Sequence, residues 1–68
     1  MINYLRGIER LRKVLGQSSE LDLLESNLRA NLQREEGGKE DRLRIIDHFN
    51  VLSFERVGRS FTELCRER

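Results

Sequence analysis

The sequence predicts an all-α fold: a small antiparallel helical bundle of three long helices plus a short C-terminal fourth. Three observations carry this. Apolar residues recur at the 3.6-residue period in three successive stretches. Glycines separate those stretches, and the chain contains no proline. Strand signals are missing, with no β-branched alternation and no Asn-Gly or Asp-Gly hairpin turn.

The first stretch runs roughly from Asn3 to Leu15. Tyr4, Ile8, Leu11 and Leu15 fall on one narrow stripe, and Arg6, Arg10 and Lys13 collect on the opposite side. The second stretch opens at Gln17-Ser18-Ser19, with Ser19 as the expected N-cap. Glu20 and Asp22 follow in the first turn, where the helix dipole favours negative charge. Leu21, Leu24, Leu28 and Leu32 form its core stripe, while Leu23 and Ala30 point away from it on the side of Ser26. The helix is expected to run to about Glu36, where Gly37-Gly38 stops it.

The third stretch, about Glu40 to Val57, differs in kind. Ile45, Ile46, Phe49, Leu52 and Ser53 make a broad face, widened by Leu43, Asn50, Phe54 and Val57. Only a strip around Arg44, His48 and Glu55 is clearly polar. A helix apolar over most of its circumference touches several neighbours, so this one is expected at the centre, with Ile46 and Phe49 deepest. Asn50, between Ile46 and Val57, is expected to be at least partly buried and bonded to a neighbouring helix end. After Gly58, Ser60-Phe61-Thr62-Glu63 matches a capping box and predicts a short helix folding back as a lid, with Phe61, Leu64 and Cys65 facing one way.

Sixty-eight residues allow one domain. A chain this short buries only about 60% of the surface its unfolded form exposes, so association is a reasonable route to more buried area. Met1-Ile2-Asn3-Tyr4-Leu5 is followed at once by Arg6, which leaves no apolar signal core, and no apolar run approaches the length of a bilayer span. A cytoplasmic protein without membrane contact is expected. One cysteine closes no internal disulfide, which fits a reducing compartment.

No enzyme is visible in the residues. His48 and Cys65 stand alone with no metal-ligand spacing between them. Cys65 is read as a small buried hydrophobe and His48 as a solvated or structurally bonded side chain. Gly37-Gly38-Lys39 lacks the spacing, hydroxyl residue and preceding strand of a phosphate loop and is read as a turn. Gly7, the one glycine inside a periodic stretch, is read as a point of close packing. No catalytic residue, metal or cofactor is expected.

Charge is the more informative feature. Residues 1–18 carry Arg6, Arg10, Arg12 and Lys13 against Glu9, whereas residues 19–38 carry Glu20, Asp22, Glu25, Glu35 and Glu36 against Arg29 and Arg34. A basic helix thus precedes an acidic one in a chain of net charge +1. One reading is internal: the two helices attract each other within the chain. The other is intermolecular. Arg6, Arg10 and Lys13 of one copy would meet Asp22 and Glu25 of another, with Leu23 and Ala30 supplying a desolvated contact.

Residues 42–65 carry a more specific signal: an apolar helix with a central Asn50, then Gly58, Ser60-Phe61, Glu63 and Leu64-Cys65. This segment resembles the C-terminal half of small helical effector-associated domains of bacterial conflict and defence systems. The resemblance implies an adaptor, with residues 1–68 forming a single helical adaptor domain excised from, or N-terminal to, a longer effector or sensor protein. Such domains are typically fused to signalling NTPases or proteases and join sensor to effector by like-with-like association, in the manner of death-fold domains. A full death fold has six helices, and this chain has room for about four. The partner implied is a protein carrying a similar helical domain, or a second copy in a homo-oligomer. Two other readings stay open: a small DNA-binding regulator built on a helix-turn-helix, and a free-standing dimerisation or antitoxin-like protein. Against the first, the near-neutral charge offers no electrostatic footprint for a nucleic acid, and none is expected as partner.

Overall fold

A computed structural model describes residues 2–66. Its four helices are α1 (Tyr4–Leu15), α2 (Ser19–Leu32), α3 (Lys39–Val57) and α4 (Phe61–Leu64). The fold is the expected all-α bundle. Among the described residues the only β pairing is an isolated antiparallel bridge between Ile2 and Arg66.

Each long helix begins or ends where its local chemistry dictates. Asn3 caps α1, its Oδ1 accepting from the Arg6 amide at 3.1 Å. The cap of α2 is Ser18 rather than the expected Ser19. Ser18 is extended and its hydroxyl accepts from the Leu21 amide at 3.2 Å, which makes Ser19 the first helical residue. At the end of α3, Gly58 adopts the left-handed conformation (φ 79°) and donates to the carbonyls of Ser53 and Phe54. Ser60 caps α4 as the S-x-x-E signature requires, accepting from the Glu63 amide at 3.1 Å.

Helix α2 stops four residues earlier than expected, and the reason is a buried amide. Asn31, not Leu32, continues the inward stripe. Its Nδ2 donates to the Gly38 carbonyl at 2.8 Å and its Oδ1 accepts from Arg42 Nε at 2.8 Å. Short-range bonds from the Gln33 and Arg34 amides to Ala30 and Asn31 then close the helix, leaving Leu32 exposed. One side chain thereby ties the end of α2 to the start of α3.

Helix α3 is central, packing against α1, α2 and α4. Phe49 is fully buried, as expected; Ile46 is only half-buried, and Leu52 and Ser53 lie deeper. Ser53 is accommodated because its hydroxyl donates to the Arg59 carbonyl at 2.6 Å. Asn50 is half-buried and its Oδ1 accepts from the Thr62 amide at 3.2 Å, so it receives the first turn of α4 as expected. The rest of the core comes from Ile8 and Leu11 of α1, Leu21, Leu24 and Leu28 of α2, and Phe61 and Cys65 at the end of the chain.

The lid is seated by two close contacts. Phe61 stacks on Phe49 with ring centroids 4.2 Å apart and planes inclined by 15°. Gly7 confirms its reading as a packing point. A methyl group there would collide with the Cys65 sulfur and approach the Phe61 ring to 3.0 Å and the Cys65 Cα to 3.3 Å. The missing side chain of α1 is the space that α4 occupies.

Two stability outcomes follow from this packing. Phe49→Ala empties the centre and loses the stack, and should cost about 3–5 kcal/mol in a denaturant melt, enough to unfold a domain this size. Gly7→Ala gains up to about 1 kcal/mol of helix propensity but overpacks the α1–α4 contact by about 1–3 kcal/mol. Its melting midpoint should therefore fall, and adding Cys65→Ala should recover part of the loss by removing the colliding sulfur.

Candidate functional site

The charged groups of the first two helices come together within the chain, through Arg12. Arg12 projects from α1 and forks between two carboxylates of α2. It reaches Asp22 Oδ1 at 2.8 Å and Glu25 Oε1 at 2.7 Å. Glu25 also accepts from Arg29 Nε at 2.9 Å, one turn along α2. This network is the internal complement of the basic and acidic helices. The Arg12 guanidinium first, and Arg29 second, hold the Glu25 carboxyl below its ordinary value. Its hydrogen bonds to Glu25 and then Asp22 hold Arg12 above the ordinary range of an arginine.

The other residues named from sequence fall in separate places. Arg10 turns toward the chain end, its guanidinium donating to the carbonyls of Leu64 at 2.6 Å and Arg66 at 3.0 Å. It serves as a cap on the last turn of α4. Arg6 lies 3.6 Å from Glu9 on its own helix, and Lys13 is exposed. Leu23 and Ala30 are exposed, as their angular positions required. Arg6, Arg10 and Lys13 therefore share a face with one another but make no common site with Asp22 and Glu25 inside the chain. Arg10 and Arg12 lie two residues apart, 200° around the helix, and only the packing of α2 and α4 decides which carboxylate or carbonyl each one meets.

Cys65 is fully buried, and burial pushes its thiol up to about 11 despite a hydrogen bond from the Gly7 backbone. It is a packing residue beneath α1, neutral at physiological pH. His48 is exposed on α3. Among the described residues, no three His, Cys, Asp or Glu side chains converge where they could hold a metal ion, and no helix is long and apolar enough to cross a membrane. A shallow groove of about 310 Å³ between α2 and α3 is lined by Asn27, Ala30, Asn31, Arg34, Asp41 and Ile45. Its mouth carries the Arg34–Asp41 ion pair at 2.9 Å.

The most unusual surface lies on α3. The face expected to be apolar nearly all round is covered on only one side. Leu43, Val51 and Phe54 point outward and are 62%, 52% and 59% exposed. At 100° per residue these three fall within an 80° sector opposite Phe49, Leu52 and Ser53. The Cα envelope explains why nothing covers them. It measures 33 × 29 × 16 Å, two helix layers thick, and α1, α2 and α4 occupy the other sides of α3. Leu43 and Phe54, assigned to the buried face by their apolar character, thus belong to a second, solvent-facing strip. Arg44 and Glu55 flank that strip and are exposed, with no ion-pair partner among the described residues. No family model, curated protein or solved structure matches the chain.

The Glu25 network has a pH signature. Folding holds this carboxyl below its unfolded value, so its stabilising contribution is complete above the ordinary carboxylate range. That contribution is lost as pH falls through the lowered value. Glu25→Gln should lower the melting midpoint at neutral pH by a few degrees. The same variant should lose less stability than the parent on acidification, measured by thermal melts from pH 7 to pH 2.

Proposed function

We propose that this chain is a non-enzymatic protein–protein interaction adaptor of the cytoplasm, working by like-with-like association with another helical domain of its kind. The observation that carries the reading is the outward strip of α3. Three large apolar side chains lie within one 80° sector of the longest helix, flanked by Arg44 and Glu55, on a domain too thin to bury them itself. Contiguous exposed apolar surface with a polar rim is the physical mark of a contact surface.

The resemblance of residues 42–65 to effector-associated domains supports the same reading and adds its setting: the joining of a sensor to an effector in a bacterial defence or signalling system. The residues that carry the resemblance have structural duties here. Asn50 receives α4, Gly58 ends α3, Ser60 caps α4, and Phe61 and Cys65 fill the core. They build the scaffold that leaves the outer side of α3 free. The nucleic-acid reading is weaker on this geometry, because Arg10 and Arg12, two of the three arginines of the basic helix, are spent on intramolecular partners.

Sedimentation equilibrium over micromolar to millimolar concentration tests the proposal. The weight-average mass should rise reversibly above the 8.1 kDa of one chain, and Phe54→Asp should suppress the rise without altering the helical circular dichroism. A mass of 8.1 kDa at every concentration removes the homotypic reading.

A further inference from the structure

Resting on that reading, we propose that the partner is a second copy of this chain, docked through an antiparallel, two-fold α3–α3 contact in one register. The spacing of the outward strip specifies it. Leu43 and Phe54 are eleven residues apart, as are Arg44 and Glu55. Eleven residues is three helical turns, about 16 Å of axial rise, so each pair lies on nearly one line of the helix. Leu43 with Phe54 forms one edge of the exposed face, and Arg44 with Glu55 forms the other.

A two-fold axis crossing between positions 49 and 50 reverses the second helix while keeping each edge on its own side. Leu43 of one copy then meets the neighbourhood of Phe54 of the second, and Phe54 meets Leu43 in return. Arg44 opposes Glu55 of the second copy, twice. Val51 of each copy sits near the axis, with Asp47 of each copy beside it. The same register satisfies the apolar edge and the charged edge together. A parallel two-fold pairing cannot do this, because it swaps the edges and sets Arg44 and Glu55 of one copy against the Leu43 and Phe54 edge of the other.

The contact is small for a stable dimer, since specific interfaces bury about 800 Å² per partner, far more than three side chains supply. Asp47 also lies within the strip and reduces its apolar area. Association is therefore weak and reversible, suited to a module whose copies gather when larger partners concentrate them.

Charge reversal within one chain separates this register from every other arrangement. Because the contact is two-fold, Arg44→Glu or Glu55→Arg alone places like charges at both symmetric positions. Each should weaken the association constant about tenfold at low salt in sedimentation equilibrium. The double variant Arg44→Glu/Glu55→Arg restores both pairs, inverted, and should associate like the parent. Both sites are exposed surface, and circular dichroism checks that each of the three variants retains the fold. If the parent associates while the single variants match it, or if the double variant stays as weak as the singles, the α3 register is overturned and the homotypic reading stands. If the parent stays monomeric to millimolar concentration, both fall.

Discussion

The close approach of α1 and α4 at Gly7 is the constraint on which the remaining structure depends. With no side chain at Gly7, the chain end packs its Cys65 sulfur directly against the α1 backbone. That position brings Phe61 over Phe49 and completes the centre of the core. Asn50 and Ser60 then satisfy the backbone amides that the short helix exposes at its start. A four-residue helix has almost no stability of its own. It exists here because a void on one neighbour, a ring on another and two polar side chains all favour the same place.

Polar contacts perform the equivalent task at both ends of α2. Asn31 joins α2 to α3 through the Gly38 carbonyl and Arg42, and Arg12 joins α1 to α2 through Asp22 and Glu25. The core supplies the driving force for collapse, but leucines arranged at helical spacing leave neighbouring registers close in energy. A buried amide with two directional bonds discriminates between them, because any slip of α2 along α3 leaves it unpaired.

Much of the fold was legible in the sequence, and its failures share one cause. The helices, the capped fourth element, the packing role of Gly7 and the anchoring of Asn50 all follow from local spacing and backbone chemistry. The errors arose where a tertiary partner decided between adjacent candidates. Ser18 and Ser19 are equivalent caps until the helix start is fixed. Leu32 is the better core residue until Asn31 finds the Gly38 carbonyl. Nor does spacing alone say that Arg12 faces α2 and Arg10 the end of α4. The outer strip of α3 was visible as composition, since that helix is apolar nearly all round. Which half would be covered depended on how many neighbours the short chain could provide. In the sequence Arg44 and Glu55 mark only a polar strip, because their common spacing with Leu43 and Phe54 draws notice only once that side is known to be bare.

The bridge between Ile2 and Arg66, with the Asn3 amide donating to the Cys65 carbonyl at 2.7 Å, brings the first and last described residues side by side. This geometry governs how the domain bears tension. A load applied through residues 2 and 66 falls first on that single bridge and then on the Arg10 contacts to Leu64 and Arg66, which open in succession rather than in parallel. The α4 segment would peel away from α1 like a zip, exposing Cys65 and the Phe61 ring while α2 and α3 remain paired through Asn31. Held at residues 2 and 66, the domain bears its load along one edge, the seam between α1 and the segment that follows α3.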